Sequence, residues 1–186
     1  RYGYNWANLW LINTHNGIRG KLERVHIEDY PAIKAHLDQY WDRISKRADK
    51  GDTPYNLRNC AYLEDFSKPK ILWKRVGSIL RFCYNDNEAL GLDSTCFAIG
   101  NNIEFVCCVL NTPMGHYLLK DAPKTGTGDL LISVQAVEPI KLPSVTYEIN
   151  IEFKRLLEMM IANCSDDIEN EISQKIFNLY GLSHEE

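Results

Sequence analysis

The sequence has 186 residues, of which 45% are hydrophobic and 25% charged, with a formal net charge of −4. This composition is typical of a folded domain and excludes an intrinsically disordered chain. No apolar run approaches the ~20 residues that span a bilayer and no signal peptide is visible, so we expect a cytoplasmic protein without membrane contact. Because the chain starts with Arg1 instead of Met, we also expect a piece of a longer polypeptide.

The first third of the chain predicts one strand, one loop and one long helix. Residues 9–13 (LWLIN) form a short apolar run that predicts a buried strand, and residues 14–21 form a glycine-containing loop. Asp29 is the expected N-cap of a helix that has Pro31 in its first turn. Apolar residues recur at helical spacing from Tyr30 to Ala48, and Gly51 ends the pattern.

The middle of the chain predicts a small sheet. Residues 71–76, 79–84 and 94–99 are rich in β-branched and aromatic residues and predict an antiparallel meander. Residues 103–110 fit a strand or a buried helix; we favour a helix that continues to residue 120. Residues 125–128 predict a loop, and residues 130–134 and 137–142 predict extended segments, the second at a sheet edge because it contains Pro139.

Two amphipathic helices end the chain. The first covers residues 147–163, and the second is capped by Asp166 or Asp167 and closed by Gly181. We therefore predict an α+β fold with a small mixed or antiparallel sheet, a long helix in the N-terminal half and a C-terminal αα-hairpin. The predicted division is an α/β core at residues 1–144 and a helical hairpin at residues 145–186, packed on that core or on another part of a longer polypeptide.

Charge is unevenly distributed along the chain. Nine acids and three bases in residues 145–186 give −6, which leaves +2 for residues 1–144. Residues 53–84 carry six Lys and Arg against two acids, interleaved with aromatic side chains. A cationic and aromatic segment in an acidic protein predicts a surface for a polyanion, with nucleic acid as the first candidate.

Arginine suits forked bonds to guanine or phosphate, and an asparagine can pair with an adenine edge. We expect Arg58 and Arg75 to read bases and the lysines to contact phosphates. The alternative is that the cations only face solvent while the aromatics, Trp73, Phe82 and Tyr84, fill the core; for the aromatics we favour the core. The predicted nucleic-acid-binding residues are Asn56, Arg58, Lys70, Lys74, Arg75, Arg81 and Lys124.

Motifs that carry catalysis are missing. The sequence has no G-x-S-x-G, no phosphate-binding Walker loop, no H-E-x-x-H and no kinase signature. The six cysteines form no C-x-x-C pair and have no histidine at zinc-finger spacing, so we expect reduced thiols and no metal. The acids near the start of the last helix are explained by its dipole.

The order and spacing of several segments resemble a known family. The segments DYPAIKAHL, RADKGDTPYNLR, KPKILW, VCCVLNTPMGHYLL and VEPIKLPSV together resemble the C-terminal specificity region of type IIG restriction–modification enzymes, the TaqI-like specificity domain of DNA adenine methyltransferases. The resemblance covers nearly the whole chain.

The resemblance implies a target-recognition domain that reads a short duplex sequence. A methyltransferase domain of the same polypeptide would perform the chemistry on a flipped adenine. Its Asn-Pro-Pro-Tyr motif is not found in these residues, so we expect this chain to bind DNA and catalyse nothing. S-adenosylmethionine and Mg²⁺ are expected for the parent enzyme, which methylates with or without cleavage. The alternative is a protein-interaction module that docks the parent or a partner through the acidic C-terminal helices.

Overall fold

The computed structural model describes residues 1–92 and 94–183. Asp93 and the last three residues of the predicted hairpin segment 145–186 lie outside the described residues. The predicted α+β class is confirmed, because helices and small antiparallel sheets make up the fold. The chain forms two units: a hairpin unit, Trp6–Asp65, and a sheet unit, Arg1–Asn5 with Phe66–Glu186. The domain boundary at residue 144 stays a prediction.

The hairpin unit contains short helices and turns. The single helix predicted from Tyr30 to Ala48 is wrong, since a turn at Tyr40 divides it. The amide of Tyr40 bonds to the carbonyl of Leu37, three residues back instead of four. Neither helix buries a side chain, so no packed face favours a continuous helix. The elements are a 3₁₀ turn at Ile27–Asp29, α1 at Pro31–Asp38 and α2 at Trp41–Ile44.

Two further predictions fail in the hairpin unit. Residues 9–13 form no strand, and Leu9 and Trp10 are 78% and 84% exposed. An apolar segment forms a buried strand only where it can pair with a neighbouring strand. Among the described residues, no strand lies beside residues 9–13. The N-cap of α1 is Tyr30 and not Asp29, which belongs to the preceding 3₁₀ turn.

The sheet unit is built on a three-stranded antiparallel sheet with order β3-β1-β4. The predicted meander is therefore wrong, because β1 lies between its two partners. The outer edge of β3 is occupied by Tyr2, whose amide bonds to Phe82 O at 2.9 Å and whose carbonyl accepts from Tyr84 N at 2.8 Å. The strands are β1 (Lys70–Lys74), β2 (Val76–Gly77), β3 (Phe82–Asn85), β4 (Thr95–Ile99) and β5 (Leu130–Leu131), and β2 pairs with β5.

A buried helix, α3 (Ile103–Asn111), organises the core of the sheet unit. It packs against β1 and β3 on one side and against the C-terminal helices on the other. The predicted helix at 103–110 and the core positions of Trp73, Phe82 and Tyr84 are confirmed. The further helices are α4 (Pro113–Leu118), α5 (Val134–Val137), α6 (Tyr147–Ala162) and α7 (Asp166–Leu179).

The C-terminal helices form where the sequence pattern predicts them, but the predicted cap of the second is wrong: Ser165 is the N-cap of α7, and Asp166 and Asp167 lie in its first turn. Helices α6 and α7 contact each other as the predicted αα-hairpin, and Thr146 caps α6 by accepting a bond from Ile149 N at 3.4 Å. The extended segment predicted at 137–142 is wrong, since Val137 ends the short helix α5 and a turn follows. No helix in the described part of the chain is long and apolar enough to cross a membrane.

Candidate nucleic-acid interface

Four of the seven predicted DNA-binding residues lie in the segments that flank a short two-stranded ribbon. After β1 the chain bends at Arg75, and the two residues of β2 pair antiparallel with β5. On the far side of β5, Lys124 forms a bridge with Leu130. We call the exposed residues Lys74, Arg75, Arg81 and Lys124, together with β2 and β5, the cationic ribbon.

Buried contacts hold the ribbon in place. The indole Nε1 of Trp73 donates to Ile132 O at 2.8 Å, and Ile132 N donates to Arg75 O at 2.8 Å. Trp73 also packs against Phe82, with ring centroids 5.6 Å apart. The ribbon is thus anchored by core residues, which fixes the backbone from which its cations project.

The start of β3 is fixed by Asn111, at the end of α3. This fully buried side chain accepts from Phe82 N at 3.0 Å and donates to Phe82 O at 2.7 Å. Arg81 directly precedes this double bond, so Asn111 sets where the arginine leaves the core. The sequence did not single out Asn111, because a lone asparagine in an apolar helix carries no signal of its partner.

A cleft of about 200 Å³ brings Lys74 and Arg81 together. Its other walls include the loop Gly77, Ser78 and Ile79, and Ile79 is 59% exposed. Within residues 1–92 and 94–183, none of the four ribbon cations makes an ion pair or a side-chain hydrogen bond. Their charges are therefore available to an anion from solution.

The backbone of Arg75 also lies beside β4, an outer strand of the three-stranded sheet. Its amide donates to Ser94 O at 2.9 Å, next to β4. Burial raises the pKa of the nearby Cys96 thiol, and the guanidinium of Arg75 acts in the opposite direction. The backbone of Arg75 and its positive charge therefore lie near β4.

Lys70 is buried and already bonded. Its ammonium donates to the carbonyls of Phe66 at 2.7 Å, Asn87 at 2.5 Å and Lys68 at 3.4 Å. Burial lowers the pKa of Lys70. With 0% of its surface exposed, Lys70 offers no atom to a phosphate, so we do not include it in the interface.

Asn56 belongs to the hairpin unit and is 2% exposed. Its amide nitrogen donates to Val25 O at 2.9 Å and His15 O at 3.3 Å, and its side-chain oxygen accepts from the Thr53 hydroxyl at 2.7 Å. All its polar groups have partners, so Asn56 cannot reach an adenine edge. Arg58 lies in the same unit and is exposed.

Sequence reasoning missed a second group of cations in the hairpin unit. Arg19, Lys21 and Arg24 line an open hollow of about 1000 Å³ with Asn16 and Asn59. The available signal was the spacing of Gly17 and Gly20 around Arg19, which predicted only a loop. Among the described residues, no group of three or more His, Cys, Asp and Glu is arranged to hold a metal ion.

The chain is similar to the Type II methyltransferase M.BanIII of Aneurinibacillus aneurinilyticus. The two are 22% identical over 191 residues, which is 95% of this chain and 33% of that protein. The chain thus spans about a third of the length of this relative. No family model matches the sequence. The similarity is distant, and it relates the chain to a type II methyltransferase.

Proposed function

We propose that this chain recognises a short sequence in duplex DNA on behalf of a restriction–modification adenine methyltransferase. The observation that carries the proposal is the cationic ribbon: four exposed cations without carboxylate partners among the described residues, in a protein of net charge −4. An unneutralised cluster of this kind attracts phosphates even when the whole protein is acidic. The distant similarity to a type II methyltransferase supports the same biological context.

The ribbon cations divide by chemistry. Arg75 and Arg81 carry planar guanidinium groups that make forked bonds to guanine or to phosphate, whereas Lys74 and Lys124 act as point charges toward phosphates. Arg58 remains a candidate base reader in the hairpin unit. This assignment reduces the seven predicted DNA-binding residues to five, because Asn56 and Lys70 are buried.

The chemistry is proposed to lie elsewhere in the parent polypeptide. In this proposal a methyltransferase domain binds S-adenosylmethionine and methylates an adenine that is flipped from the duplex. If the parent also cleaves DNA, that activity uses Mg²⁺. The role of this chain is to hold the duplex in register for that domain while performing no reaction itself.

The test is binding of the chain to duplex DNA as a function of salt. We expect the double variant Lys74→Ala/Arg81→Ala to bind more weakly and to reduce the slope of log K against log salt by about two, roughly one for each lost phosphate contact. Fluorescence anisotropy with a labelled duplex measures both quantities.

The matched control is Lys141→Ala/Arg155→Ala, which removes one exposed lysine and one exposed arginine outside the ribbon. Both double variants change the net charge equally, so a general charge effect would weaken them equally. Equal loss in the two variants, or no binding by the unmodified chain, would contradict the proposal.

A second candidate function is docking through the C-terminal helices. On α6, Tyr147, Ile151 and Met159 are 72%, 42% and 41% exposed and lie at intervals of four and eight residues. These spacings place them on one face of a helix, as in helix-mediated contacts. Sedimentation of the chain with and without Ile151→Glu tests self-association through this face, and a DNA titration of the same variant separates docking from recognition.

A further inference from the structure

Residues 15–25 of the hairpin unit form a short hairpin whose arms meet at one isolated β-bridge, between Ile18 and Leu22. Its arms are joined by Ile18 N to Leu22 O at 2.8 Å, Leu22 N to Ile18 O at 2.9 Å, and Val25 N to His15 O at 3.0 Å. The tip consists of Arg19, Gly20 and Lys21, and Gly20 adopts a φ of +76° that turns the chain. The sequence predicted a loop here; the structure adds paired arms.

Close contacts hold this hairpin in a single geometry. Gly17 has a φ of +72°, and a Cβ at this position would lie 2.3 Å from Leu22 O, so the arms approach too closely for any side chain. The buried amide of Asn56 bonds to the carbonyls of both His15 and Val25, one on each arm. Leu57 N adds a bond to Thr14 O at 2.9 Å. Asn56 is therefore a positioning residue for the hairpin.

Two of the three hairpin cations, Lys21 and Arg24, have carboxylate partners. Lys21 forms an ion pair with Glu64, and Arg24 lies 3.8 Å from Asp52. Arg19 is exposed and makes no ion pair or side-chain hydrogen bond within the described residues. A guanidinium without a partner among the described residues thus lies at the hairpin tip, beside an open hollow of about 1000 Å³.

We infer that this hairpin tip enters the major groove of the target duplex and that Arg19 reads a guanine there. The inference rests on the proposed function and extends it to a second element and a specific residue. The major groove admits a two-stranded ribbon, and forked bonds from arginine to O6 and N7 of guanine are the commonest specific contact. Because Asn56 and Gly17 fix the hairpin before binding, its geometry suits discrimination between bases better than a flexible loop would.

The test selects bound sequences from a pool of randomised duplexes with the 186-residue chain and sequences them. The unmodified chain is expected to select a motif that contains a G·C pair. Arg19→Ala should lose preference at that pair by about tenfold to a hundredfold and keep its preference at other positions. Arg19→Lys should keep the charge and the salt slope but still lose the preference, because lysine has no fork.

Two further variants separate reading from general effects. Arg43→Ala removes an exposed arginine of α2 in the same unit and should leave the selected motif unchanged. Gly17→Ala keeps Arg19 but distorts the hairpin, so it should weaken preference at the same base pair as Arg19→Ala. Circular dichroism of each variant checks that the chain remains folded, and Arg19→Lys carries the test if Gly17→Ala does not fold.

The outcomes distinguish this inference from the proposed function. If the unmodified chain selects no motif and binds no duplex, DNA recognition itself fails. If it selects a motif and Arg19→Ala behaves like Arg43→Ala, only the hairpin inference is overturned. A uniform loss across all sequences that Arg19→Lys restores would make Arg19 a phosphate contact and would also overturn the reading of guanine.

Discussion

The two units of this protein are stabilised by different kinds of contact. In the described part of the hairpin unit, Ile27 is the one buried hydrophobic side chain, and Thr14 and Asn56 are buried polar ones. The sheet unit, in contrast, has a continuous apolar core of helices and strands that includes Phe105, Leu157 and many others. The hairpin unit is therefore held mainly by hydrogen bonds of individual polar side chains, whereas the sheet unit is held by the burial of apolar surface.

This difference determines how each unit responds to mutation. A region with little buried apolar surface opens more easily than a region with a large core. Its geometry then depends on individual hydrogen bonds, such as that of the Thr14 hydroxyl to Tyr55 O at 2.7 Å. We expect changes in the sheet unit to affect global unfolding and changes in the hairpin unit to act locally.

The largest expected effect comes from Phe153→Ala in the sheet unit. Phe153 is 1% exposed and packs edge-to-face on Phe105 with centroids 5.0 Å apart. The cavity should cost about 3–5 kcal/mol in the free energy of unfolding, measured with urea. Phe153→Leu is the control and should cost much less, and a similar loss in both variants would contradict a tightly packed core.

A smaller and local effect is expected from Asn56→Ala. The variant leaves two backbone carbonyls and the Thr53 hydroxyl without their partner, which should cost about 2 kcal/mol. Hydrogen exchange should accelerate at Val25 and Leu57 and stay unchanged in α3. Acceleration throughout the sheet unit would show that the two units unfold together and would contradict a local effect of changes in the hairpin unit.

Alkaline pH should act mainly on the sheet unit. Burial, followed by the nearby Glu104 carboxylate, raises the pKa of Tyr84 above its ordinary value of 10. The stability that the protonated phenol contributes is complete below about pH 10 and is lost as the pH rises further, because the unfolded chain releases the proton first. Tyr84→Phe should make the loss of stability above about pH 10 shallower in urea unfolding. An unchanged pH dependence would contradict this.

The smallest effect is expected from Asp38→Asn in the hairpin unit. Asp38 accepts from Tyr55 OH at 2.6 Å and from Lys34 Nζ at 2.8 Å on the surface. The hydrogen bond to Asp38 is the main cause that raises the pKa of Tyr55. The variant should lower the pKa of Tyr55 in a tyrosinate titration and barely change the melting temperature, because exposed pairs contribute little. A large loss of stability would instead show that the contacts of Asp38 with Tyr55 and Lys34 stabilise the hairpin unit.

The helix predictions were more accurate in the sheet unit than in the hairpin unit, although the strand order of the sheet was predicted wrongly. In the sheet unit, the helical pattern from Ile149 to Met160 and the core placement of Trp73 were correct, because these apolar side chains are in fact packed against neighbours. Ile161, which the pattern also placed on that face, is 46% exposed. In the hairpin unit, the apolar pattern from Tyr30 onward predicted a long helix that does not form. Tyr30 and Trp41 are 49% and 43% exposed there, so their spacing reports no buried face.

The candidate site was predicted in part. The charge pattern located Lys74, Arg75 and Arg81, whose positions around one ribbon come from the pairing of β2 with the distant β5. It could not separate these from Lys70, since a lysine at the start of a strand is normally exposed and only the carbonyls of Phe66 and Asn87 make it an internal donor. The charge pattern also missed Arg19, because its position at a hairpin tip follows only from the pairing of Ile18 with Leu22.

The α+β class, the C-terminal helices and the cationic character of residues 53–84 can be predicted from the sequence alone. These properties depend on local spacing and composition, which a single chain displays directly. The tertiary structure decided which polar side chains face solvent, which strand is central and which cations lack partners. Those outcomes depend on contacts between residues far apart in sequence, such as Asn56 with Val25 and Tyr2 with Phe82.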